Sequence, residues 1–139
     1  MDANIIIAAF LRDSTARRIV TLSDLELFVP GFFREEFAKH LPALRRRTGL
    51  RDREARELVE PLHAHLTVIP EEAVLAGQER AAATMGSIDP KDTDYLAAVL
   101  AIECDGIWSD DLHFKRQTVV PCWTTKELVA VLREHGVPL

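Results

Sequence analysis

Four well-separated stretches of the chain set carboxylates beside the ends of apolar runs: "MDAN" at 1–4, "FREEF" at 33–37, "DPKDTD" at 89–94 and "WSDD" at 108–111. Gathered carboxylates repel one another unless a hard cation neutralises them. Mg²⁺ or Mn²⁺ takes oxygen ligands, keeps several waters and needs few protein carboxylates. Such a site best serves phosphodiester hydrolysis. The ion makes hydroxide from bound water and stabilises charge on the phosphate oxygens, and two-ion sites hold their metals about 3.5–4 Å apart.

Taken singly, each acid has a plainer account. Asp2 reads as an exposed terminal residue. Phe33, Phe37, Leu41 and Leu44 define one helical face at 100° per residue; Glu35 points nearly opposite it, and Glu36 falls on its border. Asp89 as N-cap, Pro90 at the first helical position and Asp92 two residues on would satisfy exposed amides and the helix dipole. That account covers Asp94 poorly, since it places Asp94 beyond the first turn. Asp110 and Asp111 follow an apolar strand and read as loop residues. Successive residues of an extended chain point to opposite sides, so the two are not expected to ligate equally. It is the combination of segments that points to a cation.

Those acids must be positioned by the elements around them. Residues 4–12 form a short apolar helix or strand, which periodicity alone does not decide. Ser14 and Thr15 offer caps for a helix beginning "ARRIVTLSDL". Residues 25–30 read as a strand stopped by Pro30, followed by a helix over 31–47 that Pro42 is expected to kink or split. A second amphipathic helix spans 52–66, interrupted by Pro61. Then come a strand at 66–70, a helix over 71–86 ended by Gly86, and a helix over 89–104 that is apolar nearly all round from Tyr95 to Ile102. Strands at 106–109 and 118–123 and a last helix over 124–136 complete the chain. Strands alternating with helices predict an α/β fold with a mainly parallel sheet. Ligands of such sheets bind outside the carboxyl ends of the strands, where these acids lie.

The length of 139 residues fits one domain, 1–139, with room for a sizeable core. No apolar run approaches the roughly 20 residues of a membrane span, and no leader pattern opens the chain. The two cysteines form neither CxxC nor a zinc spacing, which suits a reducing cytoplasm with both thiols buried. A net charge of −5 argues against coating nucleic acid through overall basicity, yet is compatible with a nuclease whose acids hold metal. Arg17 and Arg18 are candidates for meeting a nucleic-acid backbone. Arg45–Arg47, Arg51 and Arg53 read more simply as a solvated helix end. His63 and His65 face different sides of a helix and make a poor metal pair. His113 reads as a surface loop residue and Trp108 as strand core. No GxxxxGK[ST] phosphate loop occurs.

The sequence resembles the PIN-domain family of metal-dependent ribonucleases, which includes VapC-type toxins of toxin–antitoxin systems. The family's opening Asp-Thr-Asn and apolar helix are matched by Asp2-Ala3-Asn4 and "IIIAAFL". Its Glu before an apolar residue is matched by Glu36-Phe37 in "PGFFREEF". Its third acid opens an Ala-rich helix, matched by "DPKDTDYLAAVLA", where the spacing favours Asp92 over Asp94. Its Thr/Ser-x-Asp after a strand is matched by Ser109 and Asp111 in "WSDDLHF".

The resemblance implies a three-layer α/β/α PIN-like fold, a mainly parallel central sheet flanked by helices with the acids at its carboxyl edge. It implies Asp2, Glu36, Asp92 and Asp111 as catalytic metal ligands, direct or through water, with Asn4, Asp94, Ser109 and Asp110 accessory. Asp111 is then the expected ligand of its doublet and Asp110 its solvent-facing neighbour. Mg²⁺ or Mn²⁺ would be the cofactor and RNA the substrate. An antitoxin and a second copy of the chain would be partners. Two departures stand out: Ala3 replaces the family's Thr, and only Met1 precedes Asp2 where the family carries several strand residues. The runner-up reading is therefore a catalytically impaired PIN-like module that binds RNA or protein.

Overall fold

A computed structural model of the protein describes residues 1–11, 15–22, 24–85 and 92–139. Among these the order is α1 (Ala3–Leu11), α2 (Thr15–Val20), β1 (Leu27–Pro30), α3 (Phe33–Thr48), α4 (Asp52–His63), β2 (Leu66–Ile69), α5 (Glu71–Met85), α6 (Thr93–Leu100), β3 (Ile107–Trp108), a 3-10 turn (Leu112–Arg116), β4 (Cys122–Trp123) and α7 (Thr125–Glu134). The open choice at the start of the chain resolves as a helix. Ser14, Gly86, Asp89 and Pro90 lie outside the described residues.

The strands form two parallel pairs. β1 lies beside β2 with Leu27 opposite Leu66, and β3 lies beside β4 with Ile107 opposite Cys122. Met1 and Asp2 bridge the pairs. The Met1 amino group donates to Phe28 O of β1 at 3.1 Å, and the Asp2 amide donates to Trp108 O of β3 at 3.2 Å. Two residues thus occupy the lane of a central strand, giving the spatial order β2, β1, Met1–Asp2, β3, β4.

Alternation along these strands feeds two hydrophobic cores. Leu27 and Val29 face the first core with α1, α2, α3, α4 and Leu132 of α7, while Phe28 between them packs against the second core with α5 and α6. Trp108 faces the first core and Ile107 the second. Period-two side-chain direction therefore separates helices into a layer on each side of the strands, a three-layer α/β arrangement.

Several boundaries differ from the sequence expectation. Pro42 and Pro61 lie inside α3 and α4, each of which continues past its proline. Both prolines are exposed, so water can serve the carbonyls they deprive, while Phe33, Phe37 and Leu44 or Ala55, Val59 and Leu62 anchor the opposite face. α3 ends at Gly49, whose φ of 70° places it in the left-handed region, and its amide donates to Arg45 O at 2.8 Å. The expected strand at 118–123 shrinks to Cys122–Trp123. Buried Gln117 is the reason: its Oε1 accepts from the amides of Val119 and Val120, and its Nε2 donates to Phe114 O and Val120 O. Those backbone groups are satisfied locally and need no neighbouring strand. α6 is shorter than expected, closing at Leu100 with a tightened last turn in which the Ala101 amide donates to Ala98 O at 3.2 Å. Cys104 is exposed, contrary to expectation, and Cys122 is half-buried.

Candidate metal centre

Asp2 ends the central lane and caps α1. Its Oδ1 accepts from the amides of Asn4 at 2.8 Å and Ile5 at 3.3 Å, and its Oδ2 accepts from the Ser109 hydroxyl. It is only 4% exposed, which overturns the reading of an exposed terminal residue. Burial pushes its carboxyl above the ordinary range, against the pull of the Ser109 hydroxyl, the Met1 amino group and the Asn4 and Ile5 amides. Asn4 contributes its main-chain amide; its side chain is exposed.

β3 delivers the next group. Ser109 is fully buried at its end, and its Oγ also accepts from the Asp111 amide at 3.0 Å. Asp111 Oδ1 in turn accepts from the His113 amide at 2.9 Å, capping the 3-10 turn. Asp110 turns elsewhere. It is exposed, and its two oxygens accept from the Thr125 amide and hydroxyl, each at 2.7 Å, at the N-terminus of α7. The Thr125 hydroxyl also accepts from Trp108 Nε1 at 3.0 Å. The neighbouring Thr124 and Glu127 close a reciprocal cap on the same helix.

The start of α6 supplies a further acid. Asp92 is half-buried and occupies the N-cap position, yet makes no side-chain capping hydrogen bond. Asp92 stands just before α6, which begins at Thr93, rather than at the third helical position that the sequence predicts. Asp94 consequently lies within the first turn, and its Oδ1 accepts from Gln78 Nε2 of α5 at 2.9 Å. Glu36 lies half-buried on the border of the α3 face, Glu35 fully outside it. Glu36 Oε2 accepts from the Tyr95 hydroxyl of α6. Burial first, then the Glu36 carboxylate and Asp2, push the Tyr95 phenol well above its ordinary value, so it stays a donor.

The described residues bring one trio of donor atoms together. Asp92, Asp111 and His113 each offer a ligand atom, all within 4.8 Å of one another. His113 Nδ1 lies 3.5 Å from Asp111 Oδ1. Asp2 adjoins this trio through Ser109, which contacts both Asp2 and the Asp111 amide. Glu36 is held at one remove by Tyr95, whose phenol feels both Glu36 and Asp2. The sequence alone presents His113 as a surface loop residue. Its position two residues after Asp111, directly behind a strand end, is the signal that marks it. Tyr95 carried no such signal, since its role depends on α3 and α6 meeting.

The donor set suits a divalent cation. Two carboxylates and an imidazole leave room for waters, the coordination a hard or borderline ion accepts. The basic candidates divide. Arg17 Nε donates to Ala9 O at 2.7 Å, tying α2 to α1, while Arg18 is exposed. Arg45 and Arg56 pair with Asp52, and Arg53 with Glu57, as a solvated helix face would. His63 sits edge-on to Phe33 and Phe37, away from any pairing with His65.

Among the described residues no helix is long and apolar enough to cross a membrane. Comparison with curated proteins and with solved structures gives no match. A family model described as the PIN domain matches residues 1–133. With nearly the whole chain matched, and with parallel strands between two helical layers, the chain belongs to the PIN-domain family.

Proposed function

We propose that the protein is a Mg²⁺- or Mn²⁺-dependent endoribonuclease that hydrolyses RNA phosphodiester bonds, acting as the toxin of a toxin–antitoxin pair. PIN domains are generally nucleases and typically bind divalent metal, and the chain belongs to that family. The observation that carries the reading is the convergence of Asp92 and Asp111 from separate elements, with His113, within 4.8 Å. Asp92 and Asp111 would hold the ion. Asp2, beside them through Ser109, and Glu36, steadied by Tyr95, would act directly or through ion-bound water. Bound metal would supply a hydroxide nucleophile and charge stabilisation on the phosphate. Asn4, Asp94, Ser109 and Asp110 would support the site from outside it, and Arg17 and Arg18 would meet the RNA backbone. An antitoxin and a second copy of the chain are the proposed protein partners.

Purified protein should cleave single-stranded RNA with MgCl₂ or MnCl₂ and stop in excess chelator. Asp92→Asn should abolish cleavage while keeping the native circular-dichroism spectrum. Undiminished cleavage in that variant, or in chelator, would sink the proposal. Growth arrest on expression, relieved by the product of an adjacent small gene, tests the toxin role.

One observation favours a second reading, a module that binds RNA or protein without cutting. Two of the four proposed acids, Asp2 and Glu36, are hydrogen-bonded to Ser109 and Tyr95 rather than standing in the close trio. RNA retention on a filter, with no cleavage at any metal concentration, would select it.

A further inference from the structure

We infer that His113 is a direct ligand of the metal centre and biases it toward Mn²⁺ over Mg²⁺, an inference that rests on the metal-dependent reading above. The trio holds two carboxylate oxygens and one imidazole nitrogen within 4.8 Å, and His113 Nδ1 stands 3.5 Å from Asp111 Oδ1. Ligand atoms sharing one small divalent ion at about 2.1 Å stand roughly 3–4.2 Å apart. The imidazole is therefore spaced as a ligand neighbour of the Asp111 carboxylate. Its place is set locally: the His113 amide donates to Asp111 Oδ1, so both side chains leave the same cap of the 3-10 turn. Asp92 faces them from the start of α6.

Donor type decides the ion. Mg²⁺ demands oxygen ligands and releases water reluctantly, so a nitrogen donor adds little to its binding. Mn²⁺ prefers the same carboxylates and waters, but as a first-row transition ion it binds an imidazole nitrogen more readily than Mg²⁺ does. Removing the imidazole should cost Mn²⁺ affinity and leave Mg²⁺ affinity nearly untouched. An all-oxygen site also binds the two ions unequally, so the decisive quantity is the change in their ratio. The competing account is a surface ion pair between His113 and the two acids, which predicts no change in that ratio.

Calorimetric titration of chelator-stripped protein with MnCl₂ and with MgCl₂ tests this, together with the electron spin echo spectrum of the Mn²⁺ complex. The wild type should show modulation from a directly bound nitrogen. His113→Ala should lose that modulation and lower Mn²⁺ affinity by about tenfold, with Mg²⁺ affinity changed by less than about twofold. The variant should fold, because the His113 side chain is 41% exposed and the amide bond to Asp111 survives the substitution; an unchanged melting temperature in chelator checks it. Asp92→Asn should weaken both ions. An unaltered Mn²⁺ to Mg²⁺ ratio in His113→Ala, or no nitrogen modulation in the wild type, overturns the role of His113 and leaves the metal centre standing. Wild-type affinity for both ions in Asp92→Asn overturns the metal-centre reading itself.

Discussion

The Ser109 hydroxyl donates to the Asp2 carboxylate, joining residues 107 positions apart in the chain. Both side chains are buried, and the same hydroxyl accepts from the Asp111 amide. One small side chain therefore links the central lane of the sheet to the loop after β3.

Ser109→Ala strips a buried carboxylate of its donor and leaves the Asp111 amide without its acceptor. An unfulfilled buried group costs about 1–3 kcal/mol, so urea unfolding in chelator should show a loss in that range. A loss well below 1 kcal/mol would mean that water replaces the hydroxyl.

Metal should stabilise the fold by mass action. An ion that binds the folded state alone adds about 2.7 kcal/mol at one hundred times its dissociation constant. Differential scanning calorimetry should show melting rise with MnCl₂ in the wild type and rise far less in Asp111→Asn. Equal shifts in both proteins would place the ion elsewhere.

Gly77 is where α5 touches α6. A Cβ there would stand 2.5 Å from Ala97 O, a backbone atom that cannot swing aside. Glycine to alanine inside a helix ordinarily gains about 1 kcal/mol. Here overpacking should win, and Gly77→Ala should destabilise by about 1–3 kcal/mol in denaturant titration. It should also disturb α6, which presents Asp92 and Tyr95. A stabilised variant would show that the two helices separate at little cost.

His63 predicts an acid-sensitive step. Burial and then Arg34 hold its imidazole below the ordinary 6.5, with Glu60 opposing. The unfolded chain then binds more protons than the folded one as pH falls below 6.5, so stability is lost in that direction. The melting temperature should drop with acid through this window. His63→Phe, which keeps a ring beside Phe33 and Phe37, should flatten the drop.

Asp110→Ala should cost about 1 kcal/mol in chemical denaturation, the scale of a lost helix cap. Both Asp110 oxygens hold Thr125 at the start of α7, where the helix dipole favours a negative charge. A variant as stable as wild type would mean that the Thr124–Glu127 cap secures the helix alone.

Much of the architecture was legible because local rules govern it. Alternating apolar runs gave the α/β class, and the 100° helical period put Glu36 on a border and Glu35 in water. The sequence does not show that α3 and α4 continue past Pro42 and Pro61, because propensity does not report that a proline faces solvent while the opposite face is anchored. Alternation also does not show that buried Gln117 captures the backbone of Val119 and Val120 and shortens the strand to Cys122–Trp123.

The sequence by itself determined that carboxylates stand at element boundaries, and that Asp110 and Asp111 leave an extended chain on opposite sides. Only the tertiary structure decided which groups meet. Asp92 reaches Asp111 and His113, Glu36 reaches Tyr95, and Asp2 reaches Ser109. The physical reason is range. Direction along a strand or helix follows from φ, ψ and a fixed period. Convergence depends on strand order, set here by Met1 and Asp2 bonding to both neighbours, and on how closely Gly77 lets α5 carry α6 against the sheet.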